Sequence, residues 1–565
     1  MIRVQVRPGA YYDSVVLMQL QRGLVALEGV EDAGVLMGTP ANKEMLAQSG
    51  LLTAEAQAAG GDDLVIVVRG AGAAAAAAAL AAVDGLLASK ASHSGDFRPR
   101  SIETAAQMAP DARWLLVSVP GRFAAAVARQ GIEQGRHVFL YSDNVSLEDE
   151  VSLKRAAAAH GLLVMGPDCG TAIVNGIGLG FANAVRRGPI GVVGASGTGL
   201  QLVTARIHQL GSGITHALGT GGRDLSEPVG AITALQSLDL LSRDEATRVI
   251  VVVSKPPSPA VADRLIAAAR TAGKPVVIDF IGYRAPEPTQ GDVYFVQTLD
   301  AAAELAVELA AIEDAPAGAA ALPPFAPGQR WLRGLFSGGT LAYEAQLLLR
   351  AYVPAIWSNA PLDKAYKLPS ALQSQEHSIV DLGEDEFTVG RLHPMLDNDL
   401  RVKRILQEAA DPTVAVLLVD VVLGFGAHAD PAAELAPVLS EAQHTAQAAG
   451  RHLAIIAVVV GTDADPQGLA AQIAQLEEAG VQVARTNEQA AHLAGALIRR
   501  LNPLSGLPPV DIATLNAPFS AISAGLESFG ASLTAQQAAV VQLDWRPPAG
   551  GNEKLMGILA RLKTK

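Results

Sequence analysis

Residues 190–201 read IGVVGASGTGLQ, and the way the chain leaves this stretch decides what kind of sheet it builds. Ile190 to Val193 is a short apolar run suited to an internal parallel strand, buried on both faces. Gly194-Ala195-Ser196-Gly197-Thr198-Gly199 then carries almost no side-chain bulk, and Leu200-Gln201-Leu202-Val203 opens a helical pattern. Such a turn has two readings. Backbone N–H groups at the positive end of a helix can meet a bound anion. Alternatively, the glycines serve only the geometry of a tight strand-to-helix connection.

On either side of this turn, strands keep alternating with helices, which implies parallel sheets with right-handed crossovers and ligands beyond the carboxyl ends of strands. At 565 residues the chain is too long for one core. The spacing predicts a small α/β module over 1–90, with strands at Ile2–Arg7, Ala33–Met37 and Leu64–Val68. A basic linker at 90–100 leads to a Rossmann-like domain over 101–187, whose strand end carries GPDCGTA (Gly166–Ala172). A flavodoxin-like domain over 188–312 contains the opening turn and LGTGG (Leu218–Gly222). An Ala/Pro-rich linker, 313–329, precedes a second such domain over 330–500, and an appendage over 510–565 closes the chain.

Half the residues are hydrophobic, 4% are aromatic and 18% charged, a well-buried α/β profile. The net charge of −13 argues against nucleic acid or an anionic membrane as partner, while a local site can still oppose that sign for a small anionic substrate. A single cysteine, Cys169, excludes a disulfide framework and a cysteine-rich metal site. HExxH, Cys/His metal spacing and a Walker A sequence are all missing, so no metal is expected. The start, MIRVQVRPGAYYDS, lacks the form of a signal peptide, and the poly-Ala stretch at 71–80 reads as a soluble helix. A cytoplasmic enzyme or enzyme subunit is the expectation.

The turn has an echo. LRGLFSGGTLAYEAQLLL (Leu332–Leu349) repeats the pattern of apolar approach, small-residue turn and helix, so that Ser337-Gly338-Gly339-Thr340 stands against Ser196-Gly197-Thr198-Gly199. Ala415–Val419 then corresponds to Val249–Val253, and His452–Val460 to Val276–Phe280, as in a duplicated module. If two like domains pack about a pseudo-twofold, both helix ends can share one phosphate. Each end contributes about 0.3–1 kcal/mol when exposed and up to roughly 2 kcal/mol when partly buried.

These residues carry a resemblance. Gly166-Pro167-Asp168-Cys169-Gly170, Gly191–Thr198 and Gly219-Thr220-Gly221-Gly222 resemble the succinyl-CoA synthetase α subunit. Ser337–Thr340, Asp381-Leu382-Gly383 and Asp420-Val421-Val422-Leu423-Gly424 are similar to the carboxyl-terminal domain of its β subunit. That family's two turns head paired helices facing a shuttling phosphohistidine. Here the matching loop, IGYRAPEPTQGDVYFV (Ile281–Val296), holds no histidine, and Ser254-Lys255-Pro256-Pro257 replaces the glutamate that supports it. No ATP-grasp half is recognisable. Nearly the whole chain, including YYDSVVLMQL, VLMGTPANK and DWRPPAGGN, resembles the FdrA family. That resemblance implies a Rossmann-like CoA-binding-type domain plus two ligase-type flavodoxin-like domains. It also implies companion subunits in an oligomer, and carbamoyl transfer between an oxalurate- or oxamate-like ureido acid and phosphate. Phosphate or carbamoyl phosphate is then the ligand, no cofactor is required, and coenzyme A is a further ligand the scaffold allows. The alternatives are an acid–CoA ligase working with an ATP-grasp partner, and a non-catalytic scaffold binding coenzyme A or nucleotide.

Within this reading Ser196–Gly199 and Ser337–Thr340 hold the phosphoryl group, with Gly221, Gly222, Arg223 and Lys255 nearby. Lys255, at a strand end before two prolines, can polarise a phosphate or carbamoyl oxygen, or stand as a surface lysine. His393, within Gly-Arg-Leu-His-Pro beside Arg391, is a general-base candidate, and His428 is a second. The surrounding charge-dense stretch Asp381–Arg404 also reads as a solvated loop entering a helix, with Asp397 and Asp399 at its start. Asp168, Cys169, Gly170 and Asp420 lie at strand ends, and Cys169 suits packing better than nucleophilic attack. Asn42 and Lys43 either contact ligand or cap a helix, and Trp545–Pro548 suits a docking surface.

Overall fold

Four β-sheets take up the apolar runs of the sequence. The computed structural model describes residues 1–8, 14–61, 63–88, 98–312 and 323–547. The Tyr11-Tyr12-Asp13 start of the FdrA-like pattern, linker residues 313–322 and the tail from Pro548 lie outside the described residues. The chain divides into two units: Met1–Leu153 with Val164–Cys169 and Pro518–Lys565, and Lys154–Leu163 with Gly170–Ala517.

In the first unit, β1 (Ile2–Arg7), β2 (Val30–Met37) and β3 (Leu64–Gly70) form an antiparallel sheet in the order β1-β3-β2. The central strand is buried on both faces. Leu64, Ile66 and Val68 pack on Leu20, Leu24 and Ala76, while Val65 and Val67 pack on Leu46, Leu51 and Ala56. A second sheet holds β4 (Trp114–Val117), β5 (His137–Leu140) and β6 (Val164–Met165); α1 (Leu147–Ala158) lies between the last two in sequence, and from Lys154 onward it belongs to the second unit.

The C-terminal appendage expected as a separate module belongs to this second sheet. Its strands Ser520–Ala524 and Ala539–Gln542 extend the sheet, the first pairing in parallel with β4. Without them β4, whose WLLV is buried throughout, would be an unprotected edge. Trp114, 1% exposed, fastens the join, with its ring 6.1 Å from Phe519 and 5.0 Å from His137.

In the second unit, β7 (Thr171–Val174) and β8 (Ile177–Gly180) form a hairpin. The expected 101–187 domain therefore divides, because this hairpin joins the next sheet through a pairing with β10 (Ile214–Gly219). That sheet also holds β9 (Arg187–Gly194), β11 (Val249–Ser254), β12 (Val276–Phe280), β13 (Thr289–Gln290) and β14 (Val293–Phe295). Its order is β13-β14-β12-β11-β9-β10-β7-β8, parallel from β14 through β10. Helix α2 (Gly197–Gln209) covers the face of Val192, Val251 and Val277. Leu241 of α3 (Ile232–Arg243) packs on Gly191, on the opposite face. The crossovers after β9 and β10 thus leave on opposite sides, which opens a crevice at the carboxyl end of β9.

The fourth sheet repeats this plan with β15 (Trp331–Phe336), β16 (Trp357–Ser358), β17 (Ser378–Asp381), β18 (Val414–Val422), β19 (Ala454–Val460) and β20 (Gln482–Ala484). All pairs are parallel, in the order β16-β17-β15-β18-β19-β20. The run β12-β11-β9-β10 matches β19-β18-β15-β17, as the sequence echo requires. Helix α4 (Gly339–Leu349) stands where α2 does, and α5 (Asp399–Ala410) begins at the predicted acidic start. The chain is a multidomain α/β protein built largely of parallel sheets.

Candidate functional site

The opening stretch lies at the centre of its sheet. Gly194 ends β9 and is paired with Gly219 of β10 on one side and Val253 of β11 on the other. The Ala195 N–H donates to the Val253 carbonyl (3.0 Å), and the Thr220 N–H to the Gly194 carbonyl (2.9 Å). Three loops are therefore held at one edge: Ser196–Gly199 after β9, Gly221–Arg223 after β10, and Lys255 after β11. Ser196 is the N-cap of α2, and its hydroxyl accepts from the Gly199 N–H (3.2 Å). Gly197, Thr198, Gly222, Arg223 and Lys255 are all exposed.

The glycines of this edge have different causes. A Cβ at Gly199 would come 2.9 Å from the Ser196 hydroxyl, and Gly221 sits at φ +86°, so both answer to geometry. Gly197 and Gly222 do not. Neither has a positive φ, and no described atom lies within 4 Å of where a Cβ would stand. The space above them is open, at the positive end of α2 and beside two exposed cations. That arrangement suits a phosphoryl group.

The second turn is filled from within. Asp420, inside β18 and fully buried, accepts from the N–H of Ser337 (2.8 Å), the N–H of Gly338 (2.8 Å) and the Ser337 hydroxyl (3.0 Å). Arg401 of α5, 2% exposed, donates to Asp420 Oδ1 (2.8 Å) and also to its carbonyl. A Cβ at Gly339 would lie 2.5 Å from Asp381 Oδ2, so a second carboxylate stands beside the same helix end. Burial, reinforced by Glu384 and Asp420 and opposed by the Gly383 N–H, raises the Asp381 carboxyl above the usual range. The positive end of α4 is thus answered by protein carboxylates, and only Gly339 and Thr340 of that turn are exposed.

The remaining predicted residues lie in four places. His393 lies after β17 beside Gly383, Arg391 is exposed, and the His428 N–H donates to the Met395 carbonyl (2.8 Å). His393 Nδ1 accepts from the Met395 N–H (3.2 Å), and His428 Nε2 meets Glu434 at 3.1 Å. Asn42 and Lys43 are engaged locally: Asn42 donates to the Met37 carbonyl, and Lys43 to the carbonyls of Gln57 and Ala59. Asp168 is exposed and Cys169 buried after β6, while Gly170 precedes β7. The Trp545 ring packs 5.5 Å from that of Phe123.

Sequence reasoning missed Arg401, Lys154 and Asp224, all buried. The available signal was a charged residue on an otherwise apolar face. The charge-dense segment read as a solvated loop buries Asn398, Arg401 and Arg404, and Glu408 beyond it binds Arg404 (2.7 Å) and Arg333 (3.0 Å).

Comparison with known proteins agrees with this architecture. The family model of a CoA-ligase domain matches residues 335–497, and that of a CoA binding domain matches 185–282, the two turn-bearing sheets. A third, described as AllF, heavy metal-associated domain, matches residues 1–101. That segment has no cysteine, and no group of three or more potential metal ligands occurs among the described residues. The α subunit of ADP-forming succinate–CoA ligase from Methanothermobacter thermautotrophicus is 27% identical over 143 residues, 25% of this chain and 47% of that protein. Among solved structures, the apo dinucleotide-forming acetyl-coenzyme A synthetase 1 of Ca. Korarchaeum cryptofilum is similar over 70% of this chain and 85% of that one. Its TM-score is 0.29 at 17% identity, too low to bear on the site. The protein of Escherichia coli K12 described as "Uncharacterized protein YahF" is 41% identical over 507 residues, 88% of this chain and 98% of that protein. The chain, which joins a CoA-binding to a CoA-ligase domain on a succinyl-CoA synthetase-like scaffold, therefore belongs to the family of YahF.

Proposed function

We propose that this chain is a subunit of a phosphate-dependent carbamoyltransferase, with one phosphoryl site at the carboxyl edge of β9–β11. The observation that carries this reading is the open space above Gly197 and Gly222, next to Ser196, Thr198, Arg223 and Lys255. Two glycines are kept bare where neither packing nor backbone requires it, beside a helix N-terminus and two exposed cations. The segment Ile281–Val296 that follows β12 has no histidine to relay a phosphoryl group, so phosphate enters as a reactant. In the reaction proposed, a phosphate oxygen attacks the carbamoyl carbon of an oxalurate-like ureido acid. The C–N bond breaks, the leaving nitrogen takes a proton, and oxamate and carbamoyl phosphate form.

Ser196, Gly197 and Thr198 would hold phosphate oxygens, and Lys255 would stabilise charge on the carbonyl oxygen. His393 would serve as base only if a companion subunit or a second copy completes the site around it. The same edge also suits the phosphates of coenzyme A, and the matches to CoA-binding and CoA-ligase domains favour an acid–CoA ligase as the second reading.

The test is to purify the chain with its companion subunits, supply oxalurate and inorganic phosphate, and measure carbamoyl phosphate. Formation without ATP or coenzyme A is the expected result. Acyl-CoA formation that depends on ATP, with no carbamoyl phosphate, would replace this reading with the ligase.

A further inference from the structure

The loop that carries Gly221–Arg223 is tied down by a residue far from it in sequence. Lys154 of α1 is completely buried, and its ammonium donates to the Thr220 carbonyl (2.9 Å) and to Asp224 Oδ1 (2.7 Å). These acceptors bracket Gly221, Gly222 and Arg223, of which the last two are exposed. Thr220 is itself anchored through its N–H to Gly194, the last residue before the opening turn (2.9 Å). Asp224 is fully buried, and its carboxylate accepts from the N–H groups of Thr233 (3.3 Å) and Ala234 (2.8 Å) at the start of α3. One ammonium therefore links the loop after β10, the turn after β9 and the N-terminus of α3.

Resting on the phosphoryl site proposed above, we infer that Lys154 is a positioning residue that fixes the Gly221–Arg223 loop against the Ser196 turn without touching the ligand. Three observations support the assignment. A buried ammonium is costly unless it is paired and hydrogen-bonded, and this one is satisfied by the two ends of a single loop. The residue at the loop's centre, Gly222, has no described atom near its Cβ position, so side-chain packing does not hold the loop there. Gly221 sits at φ +86°, a conformation a freed loop would not have to keep.

The single substitution Lys154→Met strands the Asp224 carboxylate in the interior, and its instability would not distinguish positioning from folding. The informative variant is Lys154→Met with Asp224→Asn. It removes both charges while the amide oxygen can still accept the shorter of the two backbone bonds, that from the Ala234 N–H. Two measurements are made on the full chain: inorganic phosphate binding by calorimetry, and backbone hydrogen exchange. The expected result is a melting temperature close to wild type, exchange at least tenfold faster over Gly221–Arg223, and phosphate affinity at least tenfold weaker. Wild-type loop exchange in the double variant overturns the assignment, as does unchanged phosphate affinity. If the wild-type chain itself binds no phosphate, the phosphoryl reading fails. Loop exchange then decides the role of Lys154 alone, with local acceleration at unchanged melting temperature supporting it.

Discussion

Placing a carboxylate at the first turn should remove the anion site, whereas the same change at the second turn should do little. The perturbations are Ser196→Asp and Thr340→Asp. Ser196 is an N-cap whose oxygen accepts from Gly199, and an Asp oxygen can make the same bond, so the helix start is preserved. The new charge at the positive end of α2 contributes about 0.3–1 kcal/mol of stability. A phosphate held by the Gly197 and Thr198 N–H groups would stand about 4 Å from it. Two unit charges at that distance repel by about 1 kcal/mol in water and about 4 kcal/mol at an effective dielectric of 20. The turn is partly exposed, so the penalty lies between these limits, and phosphate affinity should fall about ten- to a hundredfold.

Thr340 starts from a different balance. Asp420 already accepts from Ser337 and Gly338, and Asp381 lies beside Gly339, so a third carboxylate removes no vacant anion site. Phosphate affinity in Thr340→Asp should stay within about twofold of wild type, by the same arithmetic. Calorimetric titration with inorganic phosphate at low ionic strength measures both variants, and thermal melts confirm that each is folded. Wild-type affinity in Ser196→Asp would refute the first turn as the phosphoryl site. Equal losses in the two variants would show instead that both turns share one ligand.

Two further outcomes follow from the packing. His377 and His216 are buried, and their Nδ1 atoms accept from the N–H groups of Leu332 (3.3 Å) and Asn175 (3.0 Å). Burial pushes them down to about 3 and about 4, with Arg333 adding to the shift at His377; at His216 Asp244 opposes it and Arg187 adds. Both folded values lie below the unfolded one, so between about pH 6.5 and pH 4 the unfolded chain binds more protons and stability falls as pH falls. The loss should reach several kcal/mol by about pH 4, at about 1.4 kcal/mol per unit. Urea melts across this range check it, and His377→Asn, which keeps an acceptor that does not titrate, should flatten the slope. Trp114→Ala should cost about 3–5 kcal/mol and expose the chain near Pro518 to limited proteolysis. A cost under about 1 kcal/mol would mean that the C-terminal strands are held by other contacts.

The parallel sheets were legible because buried parallel strands are written as unbroken apolar runs: Ile190–Val193, Val249–Val253 and Ala415–Val419 all lie inside strands. The repeat was legible for the same reason, since β9 with α2 and β15 with α4 each compress strand, turn and helix into about twenty residues. The C-terminal strands were not. Ser520–Ala524 pairs with Trp114–Val117 some four hundred residues away, and nothing local in SAISA names its partner. Hairpin β7–β8, inside the expected 101–187 domain, was not foreseen on similar grounds, because its pairing with β10 is set by tertiary packing. At the site, the sequence marked which loops reach the crevice but not which polar groups turn inward. Asp420 was marked by its strand end but not as a buried acceptor, and Lys154 was not marked at all, until burial shows what each of them holds.

The two turns show how a repeated unit can keep its backbone and lose its symmetry. Both helices begin after a central parallel strand with bare small residues, and both present the same partial positive charge. The difference lies one strand over. Where β11 ends in Ser254, β18 carries Asp420, whose carboxylate reaches the N–H groups of Ser337 and Gly338. An acid in that position needs compensation, and Arg401 supplies it from α5, itself 2% exposed. An internal anion is present at every concentration of ligand, so it outcompetes a weakly bound phosphate at the donors it occupies. The first turn has no such carboxylate among the described residues, and its Gly197 faces open space. A single exchangeable anion bound in one half, with the other half held rigid by its own carboxylate, accounts for both turns without requiring that they meet.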